Sequence, residues 1–434
     1  MAEPDASADA VEQPPPPAGL DPYEVLRNPD VVFYLVGRFV ASLGQQMLTV
    51  AVGWELYERT HSALNLGLVG LTQMGPMVLF TLPAGHVADN YNRKRIIILM
   101  NAAIVAASLG LTVISAAKAD VFWIYCCLFA AGTARTFLWP ASAAFLPQLV
   151  SREQFPRVVT WSSGTFQLSS VVGPAAGGAL IALTRHAAPV YALNAAASFV
   201  CLLLMTFVRH THVVALREKM TLRSLGAGFK FVFASRIILG TITLDLFAVL
   251  LGGATALLPV YASSDMLNAG PTGLGILQAA LPAGSLLCAL FLAHRPPLQK
   301  AGRALLWAVA GFGLATVLFG CSHWFWFSFL MLFVCGALDN ISVIVRHTLV
   351  QLLTPDEKRG RVSAVNSLFI GTSNELGGFE SGFVAHWFGP AMGRSIAAGA
   401  IFSVVSGGVG TILVVLAVAL LWPEMRKFGR LDAA

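Results

Sequence analysis

Apolar runs of about 20 residues recur along this chain, and each is long enough to cross the roughly 30 Å hydrocarbon layer of a bilayer as a helix. Twelve fall at approximately 31–57, 63–88, 95–117, 121–149, 158–184, 189–208, 236–262, 271–293, 303–321, 324–352, 362–388 and 395–422, separated by polar connections. Gly and Pro sit inside several of them, as in GPAAGG (173–178). Membrane helices tolerate this, because neighbouring helices and water re-satisfy the freed backbone groups. The pattern predicts an all-α polytopic membrane protein with twelve transmembrane helices.

Composition agrees. The 434 residues are 56% hydrophobic and 12% charged, too little polar surface to cover a soluble core of this size. With the N-terminus in the cytoplasm, connections and tails on that side hold 21 of the 28 Lys and Arg residues, against 4 on the other side and 3 within spans. That asymmetry places both termini in the cytoplasm. It also accounts for the net charge of +6 with the lipid bilayer, and no nucleic acid, as partner. Trp123, Trp324, Trp326, Trp387 and Trp422 lie near span ends, consistent with interfacial belts. The six Cys form no C-x-x-C pair and the His residues show no metal-ligand spacing, so neither a disulfide framework nor a metal site is expected. Residues 1–29 are acidic and include PPPP (14–17). They lack a basic start and an apolar centre, and read as a disordered cytoplasmic tail, not a signal peptide.

The longest internal hydrophilic connection, RHTHVVALREKMTLRSL (209–225), runs into the basic, amphipathic GAGFKFVFASR (226–236), which is expected to lie on the cytoplasmic membrane surface. The chain therefore divides into the tail 1–29, a six-helix bundle 30–208, a linker 209–235, a second six-helix bundle 236–422 and a tail 423–434. An internal repeat supports the division. Under a shift of 204 residues Gly132, Arg157, Val158, Ser163, Ser169, Gly173 and Gly178 fall on Gly336, Arg361, Val362, Ser367, Ser373, Gly377 and Gly382. Parallel six-helix repeats with a site at their interface near the bilayer midplane are a transporter architecture.

Two motifs carry a resemblance. GHVADNYNRKR (85–95), between spans two and three, resembles the signature loop of the major facilitator superfamily, roughly G-x-x-A-D-[RK]-x-G-R-[RK]-[RK]; Asn90 and Asn92 replace a cation and a Gly. Asn tolerates left-handed backbone better than most residues, so the turn is expected to survive. Gly85 suits close helix approach. The resemblance implies that Asp89 pairs with a cation of its loop, Arg93 being the candidate, and caps the start of the eleventh helix, forming a cytoplasmic latch between halves. SSVVGPAAGG (169–178) resembles the superfamily's exporter signature G-x-x-x-G-P-x-x-G-G, with Gly173, Pro174, Gly177 and Gly178 matching and Ser169 in place of the first Gly. VAVGWELYERT (50–60), DLFAVLLGGATALLPVYA (245–262), TPDEKRGRVSAVNSLF (354–369) and SNELGGFESG (373–382) are similar to the enterobactin-exporter-like branch. The resemblance spans about 30–422 and implies the major facilitator fold, two pseudo-symmetric six-helix bundles, and proton-driven export of siderophores or other amphiphilic small molecules.

Charges near mid-depth carry the candidate chemistry, since each costs about 2.5–3.5 kcal/mol there on insertion scales. They are Arg135, Asp245, Asp339 and Glu375. Arg135 and Asp339 are related by the same shift, and the resemblance places spans one, four, seven and ten around a central cavity, so these two are expected to face each other across it. The resemblance also links a mid-span-four Arg to proton coupling, although ARTFLW (134–139) matches that motif weakly. Asp339, with Glu375 and Asp245 as rivals, is the expected proton carboxylate, since both burial and a neighbouring cation control a carboxyl group's proton affinity. Glu380 lies five positions beyond Glu375, roughly 140° around the helix, and is open between a site residue and a partner for another span. Arg346 is expected to snorkel toward the cytoplasm. Gln45 and Gln46 suit either substrate or helix contact, and Glu55 and Glu58 the outer interface.

There is no P-loop, H-E-x-x-H or G-x-S-x-G, so ATP hydrolysis and common hydrolytic chemistry lack their residues. The expectation is a monomeric exporter, not an enzyme, driven by the proton gradient without a cofactor. The alternatives are an importer, a uniporter or a lipid flippase on the same fold, and a non-transporting receptor or scaffold.

Overall fold

The computed structural model describes residues 23–209, 230–295, 300–427 and 429. Most of the expected tail 1–29 and linker 209–235 lies outside these. Twelve long helices are present among the described residues: α1 Pro29–Thr60, α2 Ala63–Asn90, α3 Arg93–Ala116, α4 Val121–Phe145, α5 Phe155–Thr184, α6 Ala188–Phe207, α7 Arg236–Leu251, α8 Gly270–Ala293, α9 Ala301–Gly320, α10 Phe325–Leu353, α11 Asp356–Phe388 and α12 Ile396–Leu421. Local signals set several boundaries. Asn28 caps α1 by accepting from the Asp30 amide, with Pro29 in the first turn, and Ser62 caps α2.

Four details depart from the sequence reading. Asn92 does not adopt a left-handed turn: its φ is −63°, and its side chain caps α3 by accepting from the Arg95 amide at 3.2 Å. A capping side chain thus does at this turn what Gly does through backbone freedom. The seventh span is broken. After Leu251 come Gly252 and Gly253, a 3-10 turn Ala254–Leu257 and a short helix Leu258–Ala262. At Gly253 a Cβ would stand 2.6 Å from both the Gly377 carbonyl carbon and Ser381 Oγ, so only glycine fits against α11 there. Eleven spans are long and apolar enough to cross a bilayer, α7 together with the short helix after its break counting as one. α11 falls short on apolarity, because Asn366, Thr372, Ser373, Asn374, Glu375 and Glu380 interrupt it; it packs between α2, α7 and α12 instead. Finally, the described stretches next to the first and last spans pack against the bundle. Glu24, in a 3-10 turn, pairs with Arg157 and accepts from Gln154, while Pro423–Lys427 is helical with Met425 buried against Gly240.

Helix pairing repeats between halves. In the first, α1 packs on α5 and α6, α3 on α4 and α6, and α2 on α4; α7 with α11 and α12, α9 with α10 and α12, and α8 with α10 are the equivalents. Two further seams, α2 with α11 and α5 with α8, join the halves. At both seams glycine meets glycine. A Cβ on Gly178 would stand 3.0 Å from Gly275 Cα, and one on Gly382 would stand 2.7 Å from Gly67 Cα. Gly178 and Gly382 are the repeat-related pair, so backbone contact is made twice by one device.

The cores show which end is closed. One buried cluster draws on both halves, with Leu48, Leu66, Leu128 and Ile181 beside Leu257, Tyr261, Leu277 and Phe319. At the end bearing the basic 85–95 loop the halves keep separate clusters, one around Tyr34, Ile97, Phe145 and Met205, others around Leu244, Leu305 and Val345 and around Ile238, Val350 and Val362. The molecule is therefore sealed at one end and parted at the basic end.

Replacing Gly382 by Val forces the α2–α11 seam apart, at a cost of about 1–3 kcal/mol. A lower thermal unfolding midpoint in detergent is expected for Gly382→Val, whereas Gly164→Ala, whose Cβ meets nothing within 4 Å, leaves the midpoint in place or raises it.

Candidate functional site

Between the halves lies a cavity of about 570 Å³. Its walls come from α1, α2, α4 and α5, from α8, α10 and α11, and from the broken stretch after α7, which supplies Thr255, Ala256, Leu258 and Pro259. Helices α3, α6, α9 and α12 contribute none of the described lining. The break thus places irregular backbone where it borders a cavity and not lipid.

The mid-depth charges sort into two groups, and not as expected. Arg135 on α4 donates to Gln73 Oε1 on α2, and its electrostatic partner is Glu375 on α11. This group straddles a seam between halves, and Gln73 and Glu375 line the cavity. Asp339 on α10 also lines the cavity. Its charged neighbours are Arg346, two turns further along the same helix, and Asp245 on α7. No hydrogen bond or ion pair joins Arg135 to Asp339 among the described residues. The repeat places them at equivalent positions, but each turns toward a neighbouring helix of unlike sequence.

Arg346 does not snorkel. Its side chain is 4% exposed and forms an ion pair with Asp245, itself 7% exposed. A guanidinium beside a buried carboxylate has no reason to seek the surface. Asp245 lies behind the cavity wall rather than in it. Glu380 is half-buried, close to Ser381 Oγ at 3.5 Å, and absent from the lining, as its angular offset from Glu375 requires. Gln45 lines the cavity, while Gln46 lines it and donates to Ser170 Oγ at 2.9 Å, tying α1 to α5. Glu55, expected at the outer interface, is buried and paired with Arg59 at 3.1 Å.

The two motifs take different roles. Gly173 and Gly177 press α5 on α1, with a Cβ on Gly177 standing 2.9 Å from Met47 Cα; Gly178 faces α8 and Pro174 borders the cavity. Gly85, expected to permit close approach, faces open space, with nothing within 4 Å of a Cβ there. The halves are parted at that end. Asp89 is half-buried and makes no hydrogen bond among the described residues. Arg93 is buried and donates to the Ala88 and Ala144 carbonyls, each at 3.1 Å, clamping α2 to α4. The side chains at the start of α11, which Asp89 was expected to cap, lie outside the described ones. Lys94 Nζ donates to the Thr206 and Val208 carbonyls at the end of α6.

The sequence reading missed Gln73, Gln167, Gln278, Asn340 and Asn374, all in the cavity wall. Their signal was available: amides inside apolar spans, the same feature that singled out Gln45 and Gln46.

A family model described as transmembrane secretion effector matches residues 22–418. The chain belongs to this family of the major facilitator superfamily. Among curated relatives, the enterobactin exporter EntS of Shigella boydii serotype 18 is 26% identical over 394 residues, covering 91% of this chain and 92% of that protein. EntS of Salmonella choleraesuis is 27% identical over the same length and shares. The fold is also that of the nucleoside transporter NupG, with a TM-score of 0.71 at 14% identity over 91% of this chain and all of that one. A bacterial homologue of the human lysosomal transporter Spinster gives 0.71 at 14% over 96% of this chain and all of that one. The protein is thus a multi-pass secondary transporter of the inner membrane.

Asp245 and Asp339 both draw on Arg346, so removing Arg346 leaves buried carboxylates without their cation, at about 3–5 kcal/mol. Arg346→Met is expected to lower the thermal midpoint markedly, and adding Asp245→Leu to restore part of it, read by thermal unfolding in detergent.

Proposed function

We propose that this transporter is a proton-coupled exporter of small amphiphilic molecules, siderophores or drugs among them, working as a monomer by alternating access. The observation that carries the reading is the cavity itself. It is sealed at one end by a core shared between halves, the halves keep separate cores at the other end, and two acidic side chains stand in its wall. The excess of Lys and Arg assigns the parted end to the cytoplasm, so cargo enters from inside. The exporter-like packing of Gly173 and Gly177 and the similarity to EntS support the outward direction.

Proton coupling is assigned to Asp339. Two carboxylates, Asp339 and Asp245, share the single guanidinium of Arg346. In a medium of low dielectric such a trio is balanced by one proton. Asp339 alone of the three lines the cavity and so exchanges that proton with water there. Arg135, held by Gln73 and Glu375, is assigned instead to sensing whether the α2–α11 seam is loaded. Rocking of the halves about the glycine contacts then exposes the cavity to the other side, with no cofactor beyond the proton gradient.

A transport screen in proteoliposomes with an imposed pH gradient, spanning siderophores and cationic and neutral drugs, tests the reading. Gradient-dependent flux is expected for the parent and not for Asp339→Asn. Undiminished coupling in that variant removes Asp339 from the mechanism, and accumulation in right-side-out but not inverted vesicles reverses the direction.

A further inference from the structure

The cavity wall has an uncommon chemistry for a chamber that would hold apolar cargo. Gln45, Gln73, Gln167, Gln278, Asn340 and Asn374 line it, with Phe166 the one aromatic ring among the described lining residues. A side-chain amide both donates and accepts. Gln45, Gln167, Gln278 and Asn340 use none of that capacity on other described side chains or backbone, and Asn340 Oδ1 is buried without a partner. The wall therefore offers unspent hydrogen-bonding groups of both kinds.

Its charge is one-sided as well. Among the described lining residues there are two carboxylates and no Lys, Arg or His. Glu375 has Arg135 behind it, so its charge is offset. Asp339 has only a share in Arg346, whose ion pair is with Asp245. Once Asp339 gives up its proton, the charge facing the cavity is negative and centred on that residue.

We propose that the cavity selects neutral and cationic molecules rich in amide, hydroxamate or hydroxyl groups and excludes anions, with Asp339 as the cation-recognising group. This rests on the cavity being the transport site proposed above. Proton and cationic cargo then compete for one carboxylate, so cargo loading releases the proton and unloading takes one up.

Two measurements test it. The first needs no ligand. Gln167→Cys, or Thr49→Cys on the facing wall, is reacted in membranes with methanethiosulfonates carrying trimethylammonium or sulfonate, the parent protein serving as blank for native thiols. The cationic reagent is expected to be favoured on the order of tenfold more than with free cysteine, and adding Asp339→Asn is expected to shrink that preference. A preference equal to or below that of free cysteine overturns the charge assignment. The second uses purified full-length protein with the trihydroxamate desferrioxamine B, which carries a protonated amine, its uncharged N-acetyl form and its anionic N-succinyl form. Binding is expected to fall in that order, by on the order of tenfold from cation to anion. Tighter binding of the succinylated form, or binding by none of the three, overturns the proposal. Charge-ordered binding without flux in proteoliposomes removes the exporter reading and leaves this one standing; flux favouring the succinylated form does the reverse.

Discussion

Lipid offers no hydrogen bonds and no counter-ions, so every polar group carried into the bilayer must be answered by the protein or by water that the protein admits. That requirement organises the interior. Arg346 is answered by Asp245, Arg135 by Gln73 and Glu375, and Arg93 by two backbone carbonyls. The polar helix α11 is answered by being enclosed between α2, α7 and α12. The cavity wall gathers amides that make no side-chain hydrogen bond among the described residues, Gln45, Gln167, Gln278 and Asn340, together with Asp339.

The same solvent explains the seams. Between helices in lipid there is little hydrophobic drive, and close backbone approach at small residues holds them together. The paired contacts Gly178–Gly275 and Gly382–Gly67 lie toward the sealed end, where the shared core sits. A joint made of backbone against backbone is thin and carries no side chains to interlock, which suits a line about which two rigid bundles turn. Gly85, at the other end, has no described atom within 4 Å of where a Cβ would stand.

The break after α7 connects these themes. Gly252 and Gly253 end the helix where α11 presses closest, and the irregular stretch that follows borders the cavity before Leu257, Leu258 and Tyr261 enter the shared core. One segment thus touches both the chamber and the closed end, and a change at the chamber has a short path to the seal.

Span number, the division into related halves and the membrane setting were legible in the chain itself, because hydropathy, repeat spacing and the distribution of Lys and Arg are properties of local sequence. So were the charged residues carried inside the spans. Their partners were not. Arg135 and Asp339 share a repeat position, yet pairing depends on what surrounds each: Arg135 finds Gln73 on α2, whereas Asp339 lies near Asp245 on α7, the counterpart of α1, and Arg346 on its own helix. Asn92 as a cap, the split seventh span and the amide-rich wall likewise depend on residues far apart in sequence meeting across helix faces. Local sequence determined which groups had to be buried; only packing decided which of them are satisfied and which remain free to act.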